Sequence, residues 1–213
     1  MWIILSTIGL KKNKIFNYLD ELFENPVCEL EFNKDYELLI ATVLSAQTTD
    51  KRVNKVTSVL FKKYPSIEAL SNASIKDIES IIKEIGTYHK KAIFVKEIAT
   101  RLLNDNVTVL PNDRKYLESL PGVGRKTTNV FLSVIYNEPA IAVDTHVARV
   151  SKRLGLANEE DTVDVIEKKL MKKVPKDRWG RTHHQLVLFG RYYCKAKNPE
   201  CDNCKLKDVC KKN

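Results

Sequence analysis

Apolar positions recur along this chain at helical spacing almost throughout, and no segment sustains the alternation of a half-buried strand. Asp35–Ala46 carries Leu38, Leu39, Ile40, Val43 and Leu44 in so continuous an apolar run that it reads as a buried helix. Asp50 opens a second helix with Val53, Val56 and Leu60 on one face, stopped before Pro65. Ser74, with Asp77 three positions on, resembles a capping box, and Ile75, Ile78, Ile82 and Ile85 form a stripe that ends at Gly86. Tyr88–Leu103 repeats the pattern through Ala92, Val95, Ala99 and Leu102. Asp113–Ser119 predicts a short helix and Arg125–Ile135 a longer one with a largely apolar face. Further helices are predicted at Thr145–Leu154, ended by Gly155, at Val163–Lys172, before Pro175, and at Arg178–Tyr192. The fold class is therefore all-α.

Length and composition change this picture only in part. A chain of 213 residues can bury a sizeable core as one domain or as two lobes. With 7 glycines and 7 prolines it contains no linker-like stretch. The net charge of +9 favours a polyanionic partner, either nucleic acid or an acidic surface. The first ten residues are apolar, but Lys11, Lys12 and Lys14 come after the apolar run, where a signal peptide needs its charges in front. The run is also too short to span a bilayer, so it reads as a short N-terminal extension. The expectation is a soluble, intracellular monomer with no membrane partner. Five cysteines, four of them crowded between Cys194 and Cys210, do not look like a secreted disulfide framework. Cys28, alone, reads as a small buried hydrophobe.

The chemistry concentrates in Leu120-Pro121-Gly122-Val123-Gly124-Arg125-Lys126 and in the segment after it, which ends at Val143-Asp144-Thr145-His146. Pro121, Gly122 and Gly124 punctuate a tight connection between two helices. The second helix starts with unsatisfied N–H groups, and glycines let a bulky anion such as a phosphate approach them. Arg125 and Lys126 occupy the first turn, where the helix dipole disfavours cations. That placement is expected to push Lys126 toward its neutral, nucleophilic form, although an arbitrary Arg-Lys pair is more often just solvated. Asp144 precedes Thr145 and an apolar-periodic helix, which is the pattern of an N-cap. Cys194, Cys201, Cys204 and Cys210 have the density of a metal site, and thiolate chemistry alone leaves zinc and an iron–sulfur cluster both open. His183 and His184 are adjacent, so about 100° apart on a helix, and read as packing or hydrogen-bonding residues.

Leu120–Val130, together with Ala142-Val-Asp-Thr-His-Val-Ala-Arg149, resembles the helix-hairpin-helix DNA glycosylases, the endonuclease III family most closely. Leu44-Ser-Ala-Gln-Thr-Thr-Asp50 and the four-cysteine C-terminus are independent matches, and the resemblance covers the chain from about Ile15 to Cys210. It implies a helix-hairpin-helix glycosylase fold with a helical-barrel lobe at 28–138, a second lobe at 1–27 plus 139–213, and a cleft between them holding Lys126 and Asp144. It implies a bifunctional glycosylase and AP lyase that removes oxidised pyrimidines from double-stranded DNA and cuts abasic sites by β-elimination. Lys126 would be the nucleophile, Asp144 its electrostatic partner and Gln47 the residue that enters the space left by an extruded nucleotide. The purely hydrolytic relatives lack a lysine at the hairpin position. At Thr87 the best-known bacterial members carry a wedge leucine, so strand separation here is expected to differ in detail, with Tyr88 available to stack. The intervals between the cysteines match the cluster loop of that family, and the resemblance thereby implies a structural 4Fe–4S cluster on residues 194–210. Lys195 and Lys197, together with Arg149, Arg153 and Arg191, would hold DNA phosphates or neutralise the cluster. Two alternatives stand beside this reading: a non-catalytic DNA-binding protein, and a glycosylase for another base, such as adenine opposite an oxidised guanine.

Overall fold

A computed structural model describes the backbone of residues 2–212 and the side chains of residues 11–212. Its elements are helical in order: α1 (Trp2–Leu22), α2 (Asp35–Leu44), α3 (Asp50–Lys63), α4 (Ile67–Asn72), α5 (Ile75–Ile82), α6 (Tyr88–Asn104), α7 (Arg114–Glu118), α8 (Arg125–Tyr136), α9 (Thr145–Arg153), α10 (Val163–Lys173) and α11 (Trp179–Tyr192), with a 3₁₀ turn at Lys176–Arg178. No strand occurs among the described residues. The chain divides into two compact units, residues 29–136 and residues 1–28 with 137–213.

In the 29–136 unit, α2 is the buried axis. Leu38, Leu39, Ile40 and Leu44 are fully enclosed, which explains why its sequence lacks a polar face. The Glu37 carboxylate accepts from the backbone N–H groups of Asn33 (2.7 Å) and Lys34 (3.2 Å), satisfying donors at the helix start. Asp35 accepts from Leu110 N–H at 2.6 Å, tying the strap before α7 to the same end. Helices α4 and α5 begin at Ser66 and Ser74, whose hydroxyls accept from Ala69 and Asp77 N–H. Helix α4 has no counterpart among the predicted elements, because six residues are too few to display a period.

The other unit is discontinuous in sequence. Ile15 and Leu19 of α1 pack in one core with Val147 and Val150 of α9, Ile166 and Leu170 of α10, and Leu186 and Phe189 of α11. The apolar start of the chain continues α1 as backbone helix back to Trp2, and the side chains of residues 1–10 lie outside the described set. Cys28 is only half-buried rather than enclosed. Asp20 fastens α1 to the start of α11, accepting from Arg178 (2.6 and 2.9 Å), Arg181 (3.2 Å) and Gln185 (2.9 Å). Burial works to raise the pKa of this carboxyl, but the Gln185 and Arg178 hydrogen bonds and the nearby guanidinium charges outweigh it and hold it below the ordinary value. Asp20 therefore contributes stability above its unfolded pKa of about 3.9, which is lost as pH falls through the lower folded value. Asp20→Ala should cost about 1–3 kcal/mol at neutral pH. Chemical denaturation at pH 7 and pH 3 checks this, since the penalty should shrink in acid.

Candidate active site and cysteine loop

The hairpin is built from both ends. Asp113 caps α7, accepting from Lys115 N–H at 2.8 Å and Tyr116 N–H at 3.2 Å. Val123 N–H donates to Leu120 O at 3.1 Å to close the turn, and Thr128 N–H donates to Gly124 O at 3.0 Å to start α8. Arg114 on α7 donates to Asn129 Oδ1 on α8 at 2.8 Å, fixing the two helices against each other. Leu120 and Val123 are buried, so their side chains anchor the hairpin; Pro121 is half-buried. Gly122, Gly124, Arg125 and Lys126 are exposed, with Lys126 in the first turn of α8.

The two glycines serve different purposes. Gly122 has φ +75°, and a Cβ there would lie 2.5 Å from Phe94 Cδ2 of α6. A Cβ on Gly124 would meet nothing within 4 Å, so the chain's own packing does not explain that glycine. The backbone N–H groups of Gly122 and Gly124 make no hydrogen bond within the hairpin backbone. Gly122→Ala should therefore lose stability, on the order of 1–3 kcal/mol from strain and overpacking. Gly124→Ala should melt like the parent but bind duplex DNA more weakly. Thermal melts alongside a DNA titration separate the two.

Two more of the sequence-predicted residues sit on left-handed backbone. Gln47, exposed in the turn after α2, has φ 56°, and so does Thr87, exposed at the start of α6. The other positive-φ residues that are not glycine are asparagines among the described residues, a residue type that tolerates this conformation. For β-branched Thr87 the conformation is strained. The buried helix predicted to reach Ala46 stops at Leu44 to make the Gln47 turn. Beside Thr87, the ring of Tyr88 lies against that of His89, tilted by 33° with 4.0 Å between centroids.

Asp144 is the N-cap of α9: its Oδ1 accepts from Val147 N–H at 2.8 Å, leaving Oδ2 outside the cap. Two residues on, His146 Nδ1 lies 3.1 Å from Arg149 Nη2. Burial lowers the His146 pKa, with Asp144 opposing the effect and Arg149 adding to it. Gly190 lets α11 approach here, since a Cβ would fall 2.9 Å from His146 Cβ. His183 is buried with its ring 4.9 Å from that of His184, and burial, with Arg191, lowers the His184 pKa.

Cys194, Cys201, Cys204 and Cys210 line one cavity of about 80 Å³ with Tyr18 and Phe189 among its walls. Burial pushes the Cys204 thiol up, and the neighbouring Cys194, Cys210 and Cys201 reinforce the shift. Four thiols lining one cavity supply donors of the kind that thiolate-bound metal groups need. No group of three or more His, Cys, Asp or Glu side chains among the described residues is placed to hold a metal ion. Arg153 donates to Cys194 Sγ at 3.3 Å and to Lys195 O at 2.7 Å, while Arg149 donates to Cys194 O at 3.1 Å and Gly190 O at 2.7 Å. Both arginines, expected to face phosphates or the cluster, bond to the loop backbone, and Arg153 also faces the Cys194 sulfur. Lys195 pairs with Glu200 at 2.7 Å and Lys197 is exposed. Sequence reasoning missed Lys91, which is buried and bonded around the Gln47 turn; its position beside Ala92 on the apolar stripe of α6 was the available signal.

With this geometry in hand, comparison with known proteins is decisive for the family. Residues 40–176 match the HhH-GPD superfamily base excision DNA repair protein model. The chain belongs to that superfamily. Endonuclease III of Bacillus subtilis (strain 168) is 46% identical over 193 residues, 91% of this chain and 88% of that protein. A solved trapped endonuclease III–DNA covalent intermediate, an estranged-adenine complex, superposes with a TM-score of 0.89 at 45% identity, covering 94% of this chain and 95% of that one. A non-covalent endonuclease III–DNA complex gives the same TM-score of 0.89 at 46% identity and the same coverage of 94% and 95%. Among the described residues no helix is long and apolar enough to cross a membrane.

Proposed function

We propose that this protein is a base-excision-repair DNA glycosylase and AP lyase of the endonuclease III type, acting on oxidised pyrimidines and abasic sites in duplex DNA. Lys126 carries the assignment. It is exposed in the first turn of α8, directly after a hairpin whose Gly124 leaves room that no side chain of this protein needs. A relative of 45% identity has been captured as a covalent intermediate with DNA. Lys126 and Asp144 together are what a module that only binds DNA would not need.

The target nucleotide leaves the stack, because C1′ is out of reach inside a duplex, and Gln47 enters the space it vacates. The hairpin amides and the cationic first turn hold the backbone phosphates. The Lys126 amine attacks C1′, the bond from C1′ to the base breaks, and the base leaves with a proton. Ring opening gives the Schiff base between Lys126 and C1′. Loss of a proton from C2′ then expels the 3′ oxygen and cuts the strand, and water releases the lysine. Asp144 supports the oxocarbenium-like transition state through its carboxylate and takes part in moving the lysine proton.

Cys194, Cys201, Cys204 and Cys210 would hold a 4Fe–4S cluster with a structural role. When bound, it supplies four iron–thiolate bonds that staple the 194–210 loop. Purified protein should be yellow-brown with near-equal iron and sulfide and about four of each per chain. A colourless protein with one zinc per chain would sink this part of the assignment.

The reaction itself is tested on duplexes carrying one lesion each. Borohydride added during turnover should trap a covalent protein–DNA adduct with an abasic site and with an oxidised pyrimidine. Salt-dependent binding with neither base release nor an adduct on any duplex would identify a DNA-binding protein instead.

A further inference from the structure

Lys91 lies in the first turn of α6, and only 4% of it is exposed. Its ammonium donates to Leu44 O at 2.9 Å, Ala46 O at 2.6 Å and Thr48 Oγ1 at 3.3 Å. All three protons of the ammonium are thereby used. The acceptors are the C-terminal turn of α2 and the two residues flanking Gln47. The backbone N–H of the same residue donates to Thr87 O at 3.1 Å. Lys91 is thus bonded both to Thr87 and to the residues on either side of Gln47, the two exposed positions whose left-handed backbone their side chains do not favour.

An apolar side chain would fill this place on α6 at no electrostatic cost, and burial lowers the Lys91 pKa. What the ammonium gains in return is a favourable seat at a helix C-terminus and a fixed turn. Left-handed backbone is uphill for a residue such as Gln47, so an untethered turn would relax away from it. The exposed Gln47 side chain has no burial in a core to hold the turn in shape.

We propose that Lys91 is a positioning residue for strand separation: its ammonium presets the Gln47 turn, so that Gln47 enters the duplex already in the required shape. The proposal rests on the reading of Gln47 as the residue that fills the vacated space. It does not depend on the identity of the nucleophile, because Lys91 is given no part in the sugar chemistry.

The discriminating comparison is lyase activity on the same abasic oligonucleotide as a duplex and as a single strand. The single strand has no vacated space to fill. Lys91→Met should lose duplex kcat/KM on the order of ten- to a hundredfold, the scale on which slight misplacement of a working group is felt, and keep its single-strand rate. Lys91→Arg should recover part of the loss. Gln47→Ala should show the same selective loss, and adding Lys91→Met to it should take away little more. If Lys91→Met falls equally on both substrates, or keeps full duplex activity, Lys91 is not a positioning residue. If Gln47→Ala leaves the duplex rate untouched while Lys91→Met lowers it, the Gln47 reading has failed and this proposal goes with it. Should Lys91→Met not fold, Lys91→Gln, with two amide protons, and Thr48→Val, with one acceptor removed, carry the same comparison.

Discussion

Lys126→Gln protein incubated with an abasic duplex and borohydride should yield no covalent adduct. Glutamine keeps much of the length and hydrogen-bonding capacity of lysine but has no amine, so the Schiff base cannot form. Base release and strand cutting should fall together on a glycosylase substrate, because one nucleophile serves both. Folding should not suffer. The substitution removes a cation from the start of α8, where it opposes the helix dipole, and should stabilise the protein by about 0.3–1 kcal/mol. An inactive variant that melts at or slightly above the parental temperature and still binds an uncleavable abasic analogue is the expected combination. Adduct formation at the parental rate would show that another residue attacks C1′.

Asp144→Asn should separate the two duties of that side chain. The cap on α9 needs an oxygen to accept from Val147 N–H, and asparagine supplies one about as well as aspartate. Stability should therefore change little. The negative charge is lost, and with it the support for a transition state that is developing positive charge. Loss of one such preorganised group costs about 10²–10³ in rate in comparable sites. The loss should appear in kcat, with the dissociation constant for an abasic analogue nearly unchanged. A large drop in melting temperature, with activity falling in proportion to the unfolded fraction, would reduce Asp144 to a cap.

Much of this was legible in the sequence because the signals are local. Asp113 before α7, the Pro-Gly-x-Gly turn and the apolar face of α8 each act within a few positions, and the structure places these elements within a residue or two of their predicted ends. The intervals among the four cysteines were also visible, and their convergence on one cavity agrees with that pattern. What escaped notice was set by distant partners. Lys90-Lys91 looks like a solvated basic pair until α6 is packed against the end of α2, more than forty residues away in sequence. Arg149 and Arg153 read from the sequence as cations for phosphates or for the cluster, and the carbonyls of residues 190–196 that receive them stay hidden there because they come from another part of the chain. The left-handed backbone at Gln47 and Thr87 could not be anticipated, since neither residue type favours it and only the surrounding bonds impose it.

The interleaving of the chain between its two units bears on how the molecule comes off the ribosome. Everything the 29–136 unit needs has been synthesised by the time Tyr136 emerges, so it can fold while translation continues. Helix α1, made before that unit, must wait. Its partners Phe189, against Tyr18, and Asp208, paired with Lys14 at 2.7 Å, follow the whole of that unit in the sequence. The face of α1 that carries Ile15 and Leu19 thus stays uncovered on the nascent chain until α11 has been made. The four cysteines, too, emerge after the 29–136 unit is complete, so any metal the loop takes up would reach it only then.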